Sequence, residues 1–224
     1  MVRWTHSSVL VFAVMLAACG GSDSVPGTPT GPTPPAPPQN RAPVITSISV
    51  TPPFGIAQLT SFGYSAAASD PDGDSITYAW DLAGNPASGP AGSITFTTGG
   101  SGTFRLTVTD SRGATVVDSR SVTVGGMAGR WTGSIPGYTN FLFDLTQTST
   151  VVTGTFTELF FGTGRIDPAQ PGRIDADGRV EMRFKLAVFS DFTFRGQMDS
   201  SGRRITGGVF GSGFNGESFV MNKQ

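Results

Sequence analysis

Cysteine and histidine are nearly missing from this chain. Its 224 residues contain one of each, Cys19 and His6, both close to the start. If that opening stretch is removed on export, no thiol and no imidazole remain. A disulfide framework is then excluded. So are His-based triads, Cys nucleophiles and metal sites built from His or Cys. Charge is scarce too: Asp, Glu, Lys and Arg make up 14% of the residues and the formal net charge is -1. No basic patch marks a nucleic-acid partner. The only lysines are Lys185 and Lys223. No apolar run reaches the roughly 20 residues that a membrane-spanning helix needs.

What is abundant is glycine (31), proline (16) and phenylalanine (17). Many turn formers among aromatic and β-branched residues predict an all-β protein.

Residues 1–18 have the parts of an export signal. Arg3 supplies a positive start, and Val9 to Leu16 forms a short apolar stretch. Leu16-Ala17-Ala18-Cys19 follows and resembles the bacterial lipobox. That resemblance implies a diacylglyceryl group on Cys19, cleavage before it and acylation of the new amino terminus. The alternative is a plain secretory signal that leaves Cys19 as an unpaired thiol. Two or three acyl chains, at about 0.8 kcal/mol per buried methylene, make a lasting anchor. Gly20 rather than Asp follows Cys19. By the same resemblance this implies the outer membrane.

Residues 19–42 hold the lipid-bearing Cys and a tether rich in Pro and Gly, with Val25 as its one apolar side chain larger than alanine. Such a segment builds no core. Fully extended in polyproline II form, it reaches on the order of 70 Å.

Residues 43–125 show strand signals at short intervals between Gly, Pro and Asp clusters. Ile76, Tyr78 and Trp80 share one face by alternation, as do Phe104, Leu106 and Val108. About seven strands in so short a stretch predict an Ig-like sandwich, with Trp80 in its core. Three strings occur in order: Asp70-Pro71-Asp72-Gly73-Asp74, Thr77-Tyr78-Ala79-Trp80-Asp81, and Gly102 through Asp110. Together they resemble a polycystic-kidney-disease (PKD) domain. The resemblance implies an extracellular Ig-like sandwich used as a spacer or as a protein or glycan contact. This sequence departs from the family at Leu82-Ala83-Gly84-Asn85 and at Phe104, where the family favours tyrosine.

Asp70, Asp72 and Asp74 recur at every second position and make a candidate Ca²⁺ site. Calcium takes about six to eight oxygen ligands. Asp81 or Asp110 could complete the set if they lie close. The other reading is an Asp/Gly turn whose carboxylates cap backbone N–H groups.

Residues 126–224 begin with a glycine-rich stretch, Gly125 to Gly129, that reads as a short flexible joint. Longer alternation follows. After the Asp177-Gly178 turn, Val180, Met182, Phe184 and Leu186 face one way and Arg179, Glu181, Arg183 and Lys185 the other. Phe141, Phe143 and Leu145 repeat the pattern, as do Phe192, Phe194 and Met198. About eight strands in hairpin succession predict a β-meander closing into a small up-and-down barrel. Gly129-Arg130-Trp131 resembles the Gly-x-Trp opening of calycin barrels, the lipocalin and avidin group, and Trp131 reads as a plug at one end. Charges at successive outward positions argue against a barrel that spans lipid.

Such a barrel is just wide enough to be filled by side chains or to hold one small ligand. The phenylalanines favour filling. The leading function is therefore a lipid-anchored, non-enzymatic envelope protein that contacts protein or glycan. The second is a binding protein with a small apolar or sugar-like ligand in the barrel. For an enzyme, little is left to work with. Lys185 sits on the wet face of a regular strand. Glu158, beside Phe160-Phe161, is the one carboxylate in an apolar setting.

Overall fold

The computed structural model describes residues 37–224. The export segment, Cys19 and most of the tether fall outside the described residues. Within them, all regular structure is β, in strands numbered β1 to β17.

The first module is a sandwich of two sheets. One joins β1 (Val44–Thr51), β3 (Ser61–Ser69) and β6 (Ala91–Thr95). The other orders β2 (Phe54–Ile56), β8 (Thr115–Gly125), β7 (Gly100–Asp110), β4 (Ile76–Leu82) and β5 (Asn85–Ser88) as β2-β8-β7-β4-β5. Between the sheets lie Phe62, Tyr64, Trp80, Phe104, Leu106 and Val108, all buried. The alternation along β7 thus places its three apolar side chains in the core, as period two requires. Trp80 packs on Tyr64 at 4.9 Å between ring centres and donates its Nε1–H to Gly89 O at 3.0 Å. A buried indole with a satisfied donor is a core residue.

The second module closes on itself. Its strands are β9 (Gly129–Ile135), β10 (Tyr138–Thr148), β11 (Val151–Glu158), β12 (Gly162–Ile166), β13 (Gly172–Ile174), β14 (Arg179–Leu186), β15 (Phe192–Met198), β16 (Arg204–Gly211) and β17 (Phe214–Lys223). Apart from β12 and β13, which do not pair with each other, each strand pairs antiparallel with its successor, and β17 returns to β9. The result is an eight-strand up-and-down barrel whose fourth strand is broken into β12 and β13, both held between β11 and β14. The break falls at Asp167, which is buried and accepts the Ala169 N–H at 3.0 Å. Glycines permit the tight curl. A Cβ on Gly154 (φ +145°) would collide with Asp144 O, and one on Gly207 would collide with Arg195 O.

The expected flexible joint is instead packed. Gly125, Gly126 and Met127 are buried, and Met127 is fully so. The turn after β2 explains this. Ile56 enters the barrel's hydrophobic core, and Ala57 N–H donates back to Gly125 O at 2.9 Å. Gln147 Nε2 donates to Ala57 O at 2.9 Å, while its Oε1 accepts Met127 N–H at 2.8 Å. Lys223 Nζ donates to Gly126 O at 2.8 Å and lies 5.5 Å over the Trp131 ring. Burial pushes the Lys223 ammonium pKa down, and nearby Arg203 adds to this. Glycine here serves close approach rather than freedom, because a Cβ on Gly125 would collide with the Met198 sulfur.

Each module has one end remote from the joint. Asn40 and Arg41 dock beside the β7–β8 turn, at the sandwich end remote from the joint. The β9–β10, β11–β12, β14–β15 and β16–β17 loops gather at the barrel end remote from it.

Candidate functional site

Asp70, Asp72 and Asp74 come together. One carboxylate oxygen from each lies within 4.8 Å of the others. Much of their capacity is already used. Asp70 Oδ1 accepts the N–H groups of Asp72 (2.8 Å) and Asp74 (3.2 Å), an Asx-type turn. Asp72 accepts the Arg41 N–H at 2.8 Å and its guanidinium at 2.7 Å. Asp74 pairs with Arg112 at 3.2 Å. The backbone N–H of Arg41, then its side chain, holds the Asp72 carboxyl below the usual carboxylate range. Asp110 joins this pole from below. Its Oδ2 accepts Asn40 Nδ2 at 2.8 Å and its Oδ1 accepts the N–H groups of Arg112 and Ala114. Burial alone would raise its pKa, but these donors outweigh it and the net direction is down. Asp81 does not join: its Oδ1 caps Gly84 N–H at 2.6 Å in the β4–β5 turn. Three buried acceptors have no hydrogen-bond partner, Asn40 Oδ1, Asp70 Oδ2 and Asp74 Oδ2, the last of them being the atom that faces Arg112 in the ion pair. The donor set is all oxygen, which suits Ca²⁺.

The barrel interior is filled. Phe141, Phe143, Phe156, Phe184, Phe192 and Phe194 are each at most 2% exposed. Their ring centres are spaced for direct contact, with Phe156 to Phe184 at 5.0 Å and Phe192 to Phe194 at 5.1 Å. Phe219 packs against Phe194 with the rings tilted, 4.4 Å between centres. Trp131, fully buried, plugs the end that faces the sandwich and donates to Met127 O at 2.9 Å.

At the opposite end, apolar side chains face outward. Leu159 is 100% exposed, Val188 86%, Phe160 59% and Phe189 38%. They form one surface. Phe160 and Phe189 lie 5.5 Å apart across two loops, and Tyr138 meets Phe160 at 5.5 Å and Phe161 at 5.0 Å. Glu158 sits beneath and is buried. Its Oε2 accepts the N–H groups of Phe160 (2.7 Å) and Phe161 (2.9 Å), so the carboxylate shapes the loop that presents the cap. Lys185 pairs with Asp167 at 3.5 Å, and Lys223 holds the joint. Glu158, Lys185 and Lys223 are thus each engaged in structural contacts.

The cap escaped the sequence reading as a site. Leu159-Phe160-Phe161 and Val188-Phe189 break the period of their strands, and that break was the available signal.

Residues 40–124 match the family model described as the PKD domain. Comparison with curated proteins gives no match. Among solved structures, the PKD1 domain of Vibrio anguillarum Epp is 32% identical, covers 38% of this chain and 96% of its own, and has a TM-score of 0.32. The PKD1 domain from the Vibrio cholerae metalloprotease PrtV is 27% identical over 38% and 98%, also at 0.32. A structure of carbohydrate-binding modules from the β-sandwich superfamily is 16% identical over 83% and 93%, at 0.37. By its sequence match and its Ig-like sheets, the first module of this chain, residues 40–124, is a PKD domain.

Proposed function

We propose that this protein is a non-enzymatic contact protein of the bacterial cell envelope, held in the outer membrane by acyl chains on Cys19. The PKD domain is the stalk and the barrel is the head. The carrying observation is the apolar cap of Leu159, Phe160, Val188 and Phe189 at the barrel end remote from the joint, while Asn40 and Arg41, where the tether arrives, dock at the sandwich end remote from it. A tethered stalk then presents the cap away from its membrane. Exposed contiguous apolar surface marks interaction sites on soluble domains, and the partner here is an envelope protein or glycan. The likeness to calycin barrels belongs to this reading, supported by the eight-strand meander and the Trp131 plug. A small ligand inside the barrel is disfavoured, because phenylalanines occupy the space it would need.

The test is co-sedimentation of a soluble 20–224 chain with envelopes from the producing cell. The chain should sediment saturably. Leu159→Ser with Phe160→Ser and Val188→Ser should not, at an unchanged melting temperature. Equal sedimentation of the variant would refute the cap as the contact surface.

A second reading concerns the sandwich pole. Asn40 Oδ1, Asp70 Oδ2 and Asp74 Oδ2, with Asp72 beside them, are the groups that would hold Ca²⁺. Such an ion would pin the tether's end to the sandwich, a structural role.

A further inference from the structure

The outer wall of the barrel carries a second surface, remote in character from the apolar cap. On the outward faces of β12 to β15 stand Arg165, Arg173, Arg179, Arg183, Lys185 and Arg195, six of the chain's 15 basic residues, with Glu181 as the one acid on those strands. Acids at the rims hold three of the outer members, and Arg165 has no ion-pair partner among the described residues. Arg179 pairs with Asp175 (3.3 Å) and Asp177 (2.8 Å), Arg183 with Asp191 (3.2 Å), and Lys185 with Asp167 (3.5 Å).

The centre differs. Arg173, Glu181 and Arg195 are directly opposite one another on three neighbouring strands, so they form a row on one face. Glu181 pairs with Arg195 at 3.1 Å, which leaves Arg173 without an ion-pair partner among the described residues. The row continues to Gly208, and the Phe210 ring lies across that glycine. The Arg195 guanidinium stands 5.5 Å over the Phe210 ring, which is 37% exposed. Depressions of about 620 and 430 Å³ flank the row, and both are lined by Arg173, Glu181 and Arg195. Those volumes fall in the range of small-ligand sites, about 300–1,000 Å³.

We propose that this wall binds an acidic oligosaccharide, one that carries uronic-acid carboxylates. The proposal rests on the contact function above only in taking a glycan as a partner, and it uses a different surface. Arg173 and Arg195 offer planar forks that match carboxylates. Glu181 between them accepts sugar hydroxyls. Phe210 offers an apolar face to a pyranose ring. The row runs across the strands with one depression on either side of it, so the ligand lies over the row with sugar units reaching into both.

Affinity electrophoresis of the soluble 20–224 chain in gels containing polygalacturonate, dextran or poly-L-glutamate tests this. Polygalacturonate should retard the chain, and high salt should release it. Arg173→Ala with Arg195→Ala should weaken binding about tenfold or more, as expected for two charge-assisted contacts. Arg173→Lys should recover part of the loss, since charge returns without the fork. The cap variant should bind polygalacturonate normally, which separates this result from the cap's own test. Retardation by poly-L-glutamate as strong as by polygalacturonate would show that the wall reads charge alone and overturn the glycan assignment. Equal retardation by dextran would overturn the acidic class while leaving glycan contact intact. No retardation in any gel would overturn the proposal outright.

Discussion

Gln147 of the barrel holds Ala57 of the sandwich. Its Nε2 donates to Ala57 O at 2.9 Å and its Oε1 accepts Met127 N–H at 2.8 Å, with the side chain buried. One amide therefore satisfies the turn of one module and the linker of the other. Gln147→Ala would strand both groups, and each unsatisfied buried group costs about 1–3 kcal/mol. Limited proteolysis should find the wild-type chain resistant between residues 125 and 129, and the variant cut there. Equal resistance would mean that Ile56 packing alone closes the joint.

Phe184→Ala should strongly destabilise the chain. Phe184 is fully buried and touches Phe156, Phe192 and Phe194. Loss of a core phenylalanine costs about 3–5 kcal/mol. Denaturant melts of the 20–224 chain check this. The native wild-type chain should bind no apolar fluorescent probe inside the barrel. A mild loss together with saturable probe binding that Phe184→Ala alters would reopen the ligand-carrier reading.

The sandwich and barrel were legible in sequence because alternation is a local signal. Phe104-Leu106-Val108 and Val180-Met182-Phe184 each go inside as their period demands. The joint was not legible. Glycines at 125 and 126 carry the same letters whether they give freedom or allow a neighbour close, and Ile56 lies some seventy positions away in sequence. Asp81 illustrates the same limit. It stands next to Trp80 within β4, yet the N–H of Gly84, three residues on, claims its carboxylate. The broken fourth strand and the Arg173–Glu181–Arg195 row depend on register between strands, which single-strand patterns do not encode.

Calcium should raise the melting temperature of the 20–224 chain relative to chelator, through preferential binding to the folded state. Asp70→Asn should lower that gain, because Asp70 Oδ2 is one of the unpartnered acceptors. An equal gain in the variant, or none in either protein, would leave the Asp turn as a backbone cap alone.

Acid should release the Arg41 contact. The folded-state pKa of Asp72 is depressed, chiefly by the Arg41 backbone N–H. The stabilisation is therefore complete above the ordinary carboxylate value of about 3.9 and lost as pH falls through the depressed value. The amide resonance of Arg41 should hold its position down to about pH 4 and move below it. Movement centred well above that range would contradict the Arg41–Asp72 bond.

The central claim is that a lipid-anchored chain presents its barrel cap to an envelope partner. The most direct measurement is site-specific photocrosslinking in the producing cell, with the Cys19 anchor intact. A benzophenone side chain is placed at position 160 in the cap or at position 119, an exposed site on the sandwich. The account predicts discrete adducts from position 160 alone, in the outer-membrane fraction, and loss of the chain from that fraction with Cys19→Ser. Adducts from position 119 with none from position 160, or membrane retention of Cys19→Ser, would contradict it.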